Sequence, residues 1–215
     1  MNIQDTHSPV RRRRKDSRPA ELTAAALELF VEKGFAATRL EDVAVKAGVS
    51  KGTLYLYFDS KAALLKAVVE DGIVPALNQG EDMLARHQGS AAELLRHMIL
   101  TWWALIGANK LSGICKLMIA EAHNFPEFAS YYHDTVITRA HDLMRRVLEA
   151  GIARGEFRSI DIEPAIDVIF APVLMLAIWR HSFAGCCGVE QEPQRYLNTH
   201  LDLLLNGLLN TTEKP

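Results

Sequence analysis

The segment VSKGTLYLYFDSK, residues 49–61, concentrates the side chains best suited to hold an anion. Ser50 is a favoured helix N-cap, Lys51 and Thr53 place an ammonium and a hydroxyl on the turn behind it, and Gly52 leaves that turn bare. Glycine there costs up to about 1 kcal/mol of helix propensity relative to alanine. Something beyond local propensity has to offset that cost. The first N–H groups of a helix have no partner within it and bind phosphate, and a missing side chain lets a backbone approach a surface closely. Leu54 and Phe58, four apart, turn to the core and leave Tyr55 on the outer face. Tyr57 reads either as a core aromatic or as a ring that packs while presenting its hydroxyl. Lys61 opens the next helix behind a Ser60 or Asp59 cap, placed to reach the same anion from the other side.

Presenting these groups requires a short helix braced by others. Leu22, Ala25, Ala26, Leu29 and Phe30 repeat at three and four residues, Pro19 suits a first turn and Gly34 a stop, which predicts a first helix over 19–33. Thr38 with Glu41 three residues on reads as a capping box for a second helix, with Leu40, Val43, Ala44 and Ala47 on its inner face. Gly48 permits a positive φ, Val49 plugs the core, and Ser50 caps a third helix over 50–58. Two short helices joined by Gly-x-Ser make a helix-turn-helix. Upstream, residues 1–18 carry RRRRK at 11–15 and almost nothing apolar. They read as a disordered basic arm, either a solvated tail or a phosphate-contacting segment.

Charge divides along the same line. Residues 1–66 hold 12 Lys/Arg against 8 Asp/Glu and residues 67–215 hold 12 against 18, so a +4 segment is joined to a −6 body. Only the first part is suited to meet a polyanion. With 215 residues and 49% hydrophobic side chains the chain can bury a core. The three cysteines, Cys115 and the vicinal Cys186 and Cys187, are too few for a disulfide framework, and the N-terminal arginines are not followed by an apolar run, so the cytoplasm is the default expectation. The stretch IDVIFAPVLMLAIW, residues 166–179, is too short at 14 residues to span a bilayer and is expected to be a buried helix.

Thr38, the run VAVKAGVSKGTLYLYF and Lys61 followed by ALLKAVVE resemble the DNA-binding domain of the TetR family of transcriptional regulators. The resemblance covers about residues 20–66. It implies that Thr38, Ser50, Lys51, Gly52, Thr53, Tyr55, Tyr57 and Lys61 touch double-stranded DNA, mostly at phosphates. It also implies a C-terminal domain that binds a small molecule and forms the dimer. Leu56 stands where relatives often carry a polar or aromatic group, and Ala62 where an acid is common.

From residue 67 on, the period is helical, with helices expected near 61–79, 90–107, 111–124, 126–154, 163–183 and 193–210. The fold expected is all-α: a basic arm at 1–18, a helix-turn-helix domain at 19–66, and a ligand-binding and dimerisation domain at 67–215. The 163–183 helix is apolar nearly all round, and Leu197, Leu201, Leu204 and Leu208 mark a face of the last helix. A second copy of the chain would cover both. For a cavity the candidates are Trp102, Trp103, Met118, Phe125, Phe128, Tyr132 and Phe170, with His97 and His133 as polar anchors; each can equally be ordinary core or surface. The effector implied is apolar or aromatic, neutral or weakly charged. No metal spacing, nucleophile elbow or phosphate loop occurs, so neither a cofactor nor an enzyme is expected. The function expected is a homodimeric repressor on a palindromic operator. The alternative is a DNA-binding protein whose C-terminal domain only dimerises.

Overall fold

The structure is a computed structural model that describes residues 9–183 and 192–210, with side chains from Arg18 onward. The described chain is helical apart from turns and one isolated bridge between Phe157 and Leu209. It divides into two compact units, Met1–Asp71 and Gly72–Pro215. The division falls five residues later than the boundary expected after residue 66, because nearly all of the fourth helix belongs to the first unit.

In the first unit α1 (Pro9–Lys33) buries Leu22, Ala26 and Phe30 fully, as its period requires. It starts at Pro9, so the expected disordered arm is helical over its second half and Pro19 lies inside the helix. Arginine and lysine are good helix formers, and no glycine interrupts the stretch from Pro9 to Pro19. Residues 1–8 lie outside the described residues.

Helix α2 (Leu40–Lys46) is capped by Arg39 without a side-chain bond, so the expected Thr38–Glu41 capping box does not form. Thr38 is buried instead, and its hydroxyl donates to the Gly34 carbonyl at 2.7 Å with the Leu29 carbonyl at 3.2 Å. Lys61 completes this turn. Its Nζ donates to the carbonyls of Phe35 (2.5 Å), Ala36 (3.0 Å) and Thr38 (3.0 Å), and lies 4.5 Å from the Phe35 ring centroid. Phe35 packs on Phe30 at 5.4 Å.

The turn after α2 follows expectation at Gly48, whose φ is +65°, although Val49 is only half-buried. Ser50 caps α3 (Lys51–Tyr55) by accepting from the Thr53 N–H at 3.1 Å. At five residues α3 is shorter than the 50–58 expected, and the chain turns through Phe58 to α4 (Lys61–Gly72), where Ser60 Oγ accepts from the Ala63 N–H.

The second unit opens with α5 (Val74–Arg86). The helix expected over 61–79 is therefore two, broken at Ile73 because Pro75 starts a new first turn. Helix α6 (Ala91–Trp102) has a capping box between Ser90 and Glu93 and runs into a π-helical turn at Trp103–Gly107. Then come α7 (Ser112–Glu121), α8 (Pro126–Tyr132), a second π-helical turn at His133–Ile137, and α9 (Thr138–Ala153). Helices α10 (Ile162–Ser182) and α11 (Pro193–Leu208) follow. Cys186 and Cys187 lie outside the described residues.

The core of this unit joins α6, α9, α10 and α11 through Leu95, Val147, Leu148, Ile166, Leu197 and Leu201. The Phe157 ring fills the space where Gly151 lacks a side chain, and Asn210 donates to the Glu156 carbonyl at 3.0 Å, tying the end of α11 to this turn. Two expectations change. Leu197, Leu201 and Leu208 face the chain's own core and half-buried Leu204 packs against it, leaving Leu203 exposed on the outside of α11. Helix α10 runs 21 residues, long and apolar enough to cross a bilayer by length and composition, so length does not exclude it as the 14-residue run implied. It buries Ile166, Ile169, Val173, Leu176 and Ala177 against its own unit, and Val168 and Met175 stay exposed.

The Lys61 clamp gives a direct test. Lys61→Ala removes the donor of three carbonyls and should cost about 1–3 kcal/mol of stability in urea unfolding without any DNA present. An unchanged midpoint would show that the clamp contributes nothing.

Candidate nucleic-acid interface and cavity

Of the eight residues implicated in DNA contact, the structure presents some outward and turns others inward. Lys51, Gly52 and Tyr55 are exposed, and Thr53 and Tyr57 are half-buried. Ser50 Oγ lies 2.8 Å from Thr53 Oγ1 while capping the helix, so one hydroxyl pair serves both the cap and the surface. Thr38 and Lys61 hold the α1–α2 turn through the bonds above: the Thr38 side chain is 1% exposed and the three ammonium donors of Lys61 meet three carbonyls. As placed, neither side chain is offered to a partner. Their residue types suit phosphate, but carbonyls of a neighbouring turn satisfy the same donors.

Gly52 is exposed in the first turn of α3. A Cβ added there would meet only Ser50 Oγ, at 3.9 Å, so nothing inside the chain demands a glycine. Lys51 Nζ sits 2.5 Å from Glu41 Oε1 and 5.7 Å from the Tyr55 ring centroid. The hydrogen bond with Glu41 raises the Lys51 ammonium above its ordinary pKa, and the same bond holds the Glu41 carboxyl below the usual carboxylate value. Both groups are exposed, so a phosphate can displace Glu41 at little cost. Two further exposed residues lie beside the predicted contacts: Arg39 at the α2 N-cap, with no ion pair among the described residues and not anticipated from the sequence, and Leu56, already noted as a departure from relatives, which is 82% exposed beside Tyr55. The signal for Arg39 was its place next to Thr38.

The second unit contains a cavity of about 580 Å³. Its walls include Trp102 from α6, Cys115 and Met118 from α7, Tyr132 from α8, and Asp167 and Phe170 from α10. Both π-helical turns reach it, the first through Ile106 and the second through His133, Val136 and Ile137. Such turns add a residue to the helix and are frequent at functional sites. A crevice of about 60 Å³ shares Trp102, Ala140 and Phe170 with the cavity and extends to Leu77, Gly80 and Met83 of α5.

Five of the nine expected lining residues are brought together: Trp102, Met118, Tyr132, His133 and Phe170. The other four are not. His97 is exposed on α6, Trp103 is buried with the Arg180 guanidinium 5.5 Å from its ring, Phe125 precedes α8, and Phe128 is buried beside Tyr131 and Tyr132. Trp102 and Trp103 are adjacent and point about 100° apart round the helix, so only one of them can line a given wall. His141 and Asp167 were not anticipated. His141 Nε2 lies 3.6 Å from Asp167 Oδ1, and the imidazole stacks on Phe170 at 6.0 Å and 15°. The floor carries a neutral polar pair: Tyr132 OH and Cys115 Sγ are 3.8 Å apart, and burial pushes the phenol and the thiol above their ordinary pKa values.

Comparison with known proteins agrees with these features. Residues 22–68 match the family described as bacterial regulatory proteins, tetR family, and residues 85–183 match a tetracyclin repressor-like C-terminal domain. The chain is 30% identical to YfiR of Bacillus subtilis, an uncharacterized HTH-type transcriptional regulator, over 89% of this chain and 96% of that protein. It is 29% identical to the HTH-type transcriptional repressor KstR2 of Rhodococcus jostii, over 87% of this chain and 91% of the relative. Among solved structures, the regulator FadR of Bacillus subtilis in complex with stearoyl-CoA superposes with a TM-score of 0.73 at 21% identity, covering 87% of this chain and 98% of that one. Members of this family regulate transcription and are not enzymes. With a capped recognition turn in one unit and a cavity-bearing helical bundle in the other, the chain belongs to the tetR family of DNA-binding bacterial transcription regulators.

Proposed function

We propose that the protein is a cytoplasmic, homodimeric repressor that holds a palindromic operator through two copies of α3 and lets it go when a small apolar or aromatic molecule fills the cavity of the second unit. The observation that carries this reading is the open, largely apolar 580 Å³ cavity in the same chain as a helix-turn-helix. A relative named as a repressor and a structural neighbour holding stearoyl-CoA support a ligand-responsive regulator. Ile73 lines the cavity only two residues beyond Asp71, where the first unit ends, so the chain runs from the DNA-reading unit directly into the cavity wall. An effector shifts the equilibrium only by its differential affinity for the two states, and a hundredfold effect takes about 2.7 kcal/mol. Burying one or two aromatic rings supplies that.

A second copy is the natural cover for the outer side of α10 and α11. Val168 and Met175 are exposed there with Leu203, and a groove of about 530 Å³ runs past Pro172, His200 and Leu204. This also accounts for an apolar α10 without a bilayer. Leu203→Glu should give a folded monomer by light scattering, whereas Leu201→Glu, which puts a charge into the chain's own core, should unfold the second unit. A Leu203→Glu dimer as stable as the parent would remove this interface.

On DNA, half-sites one helical turn apart, about 34 Å, suit two recognition helices. Lys51→Ala should weaken operator binding about tenfold and lower the slope of log affinity against log salt by about one, and Tyr55→Ala should weaken binding without altering the slope. Deleting residues 1–17 should flatten the slope and keep sequence preference. Parent-like affinity in both point variants would show that α3 is not the reading element. A gel-shift screen of apolar and aromatic compounds tests release: if none frees the operator, the C-terminal unit only dimerises.

A further inference from the structure

We infer that the cavity takes a lipophilic cation, an apolar molecule bearing one positive charge that sits against Asp167 and the rings of Trp102, Tyr132 and Phe170. This rests on the effector reading above and adds the charge class of the effector. Asp167, Phe170 and Leu174 fall at i, i+3 and i+7 along α10, and all three line the cavity, so Asp167 lies on the side of α10 that faces it. Its partner among the described residues is His141 Nε2 at 3.6 Å, beyond ordinary hydrogen-bonding distance. Two other acids of this unit are held far more firmly. Glu163 is gripped in bidentate fashion by Arg145 at 2.7 and 2.9 Å, and Glu81 accepts from Arg139 at 2.7 Å. The Asp167 side chain is 73% exposed, so its oxygens are accessible to a ligand.

The lining contains no lysine or arginine. On the flanking helices, Lys116 of α7 donates to the His181 carbonyl at 2.9 Å, and Arg139 and Arg145 of α9 are engaged by Glu81, Glu163 and Asp142. The basic groups in the walls are the imidazoles of His133 and His141, and each already faces a carboxylate, Asp134 at 3.0 Å and Asp167 at 3.6 Å, while an anionic head would meet Asp167 as a like charge. The ring faces of Trp102, Tyr132 and Phe170 attract cations through their quadrupoles, and the excess of 18 acids over 12 bases across residues 67–215 biases the approach the same way. Tyr132 and Cys115, kept neutral by burial, add polar contacts without charge.

The test compares three probes that share a tail and differ in head charge: dodecyltrimethylammonium, dodecanol and dodecanoate. Each is titrated calorimetrically below its micellar concentration into the full-length protein and into Asp167→Asn. The expected order is cation, then alcohol, then carboxylate, with one molecule bound per chain and about tenfold between cation and alcohol. Asp167→Asn should cost the cation about tenfold and leave the alcohol unchanged. Because Asp167 is exposed, the variant should melt with the parent. Equal binding of all three heads, tightest binding of the carboxylate, or a cation affinity indifferent to Asp167→Asn overturns the charge selection while leaving the cavity reading in place. Failure of all three to bind overturns both.

Discussion

A single ammonium group holds the DNA-reading unit in shape. Lys61 Nζ draws together the carbonyls of Phe35, Ala36 and Thr38, which no helix would otherwise satisfy, and so fixes the turn from which α2 starts. The position of α2 sets the Gly48 turn, and that turn presents the Ser50 cap and the exposed start of α3. Thr38 fastens the same turn from inside with its hydroxyl on Gly34. A helix of only five residues has little stability of its own. Its orientation is inherited from this bonded turn and from the burial of Leu54, so the reading surface depends on contacts that reach no partner.

The second unit is governed by a different constraint. Helix α10 is apolar on more faces than its own unit buries, and its sides differ in their surroundings. One side joins the core with α6, α9 and α11, another leaves Val168 and Met175 exposed, and a third, through Asp167, Phe170 and Leu174, lines the cavity. The π-helical turns after α6 and α8 widen the helices where they meet this space, so the bundle does not close on itself there. Cavity and outer face thus lie on one helix.

What the sequence made legible was local. The burial of Leu22, Ala26 and Phe30, the Ser50 cap and the positive φ of Gly48 each involve groups a few residues apart, and all appear as expected. Thr38 was misread as a cap because its acceptors, Leu29 and Gly34, lie upstream in a turn whose path the local pattern does not fix. Lys61 was read as reaching outward because its carbonyl partners stand 23 to 26 residues away. In the cavity the aromatic and methionine pattern found Trp102, Met118, Tyr132 and Phe170, since large apolar side chains announce themselves. It could not find Asp167 and His141, whose meeting requires α9 and α10 to be packed together first.

In the proposed mechanism cavity occupancy and operator binding are coupled, and linkage makes the coupling reciprocal. The most direct measurement is the affinity of the tightest-binding member of the dodecyl series for the free protein and for the protein saturated with its operator. The expected result is weaker binding to the operator complex, by the same factor by which the ligand weakens operator binding. Equal affinity in the two states would contradict the claim, because a ligand that does not distinguish the states cannot shift the balance between them.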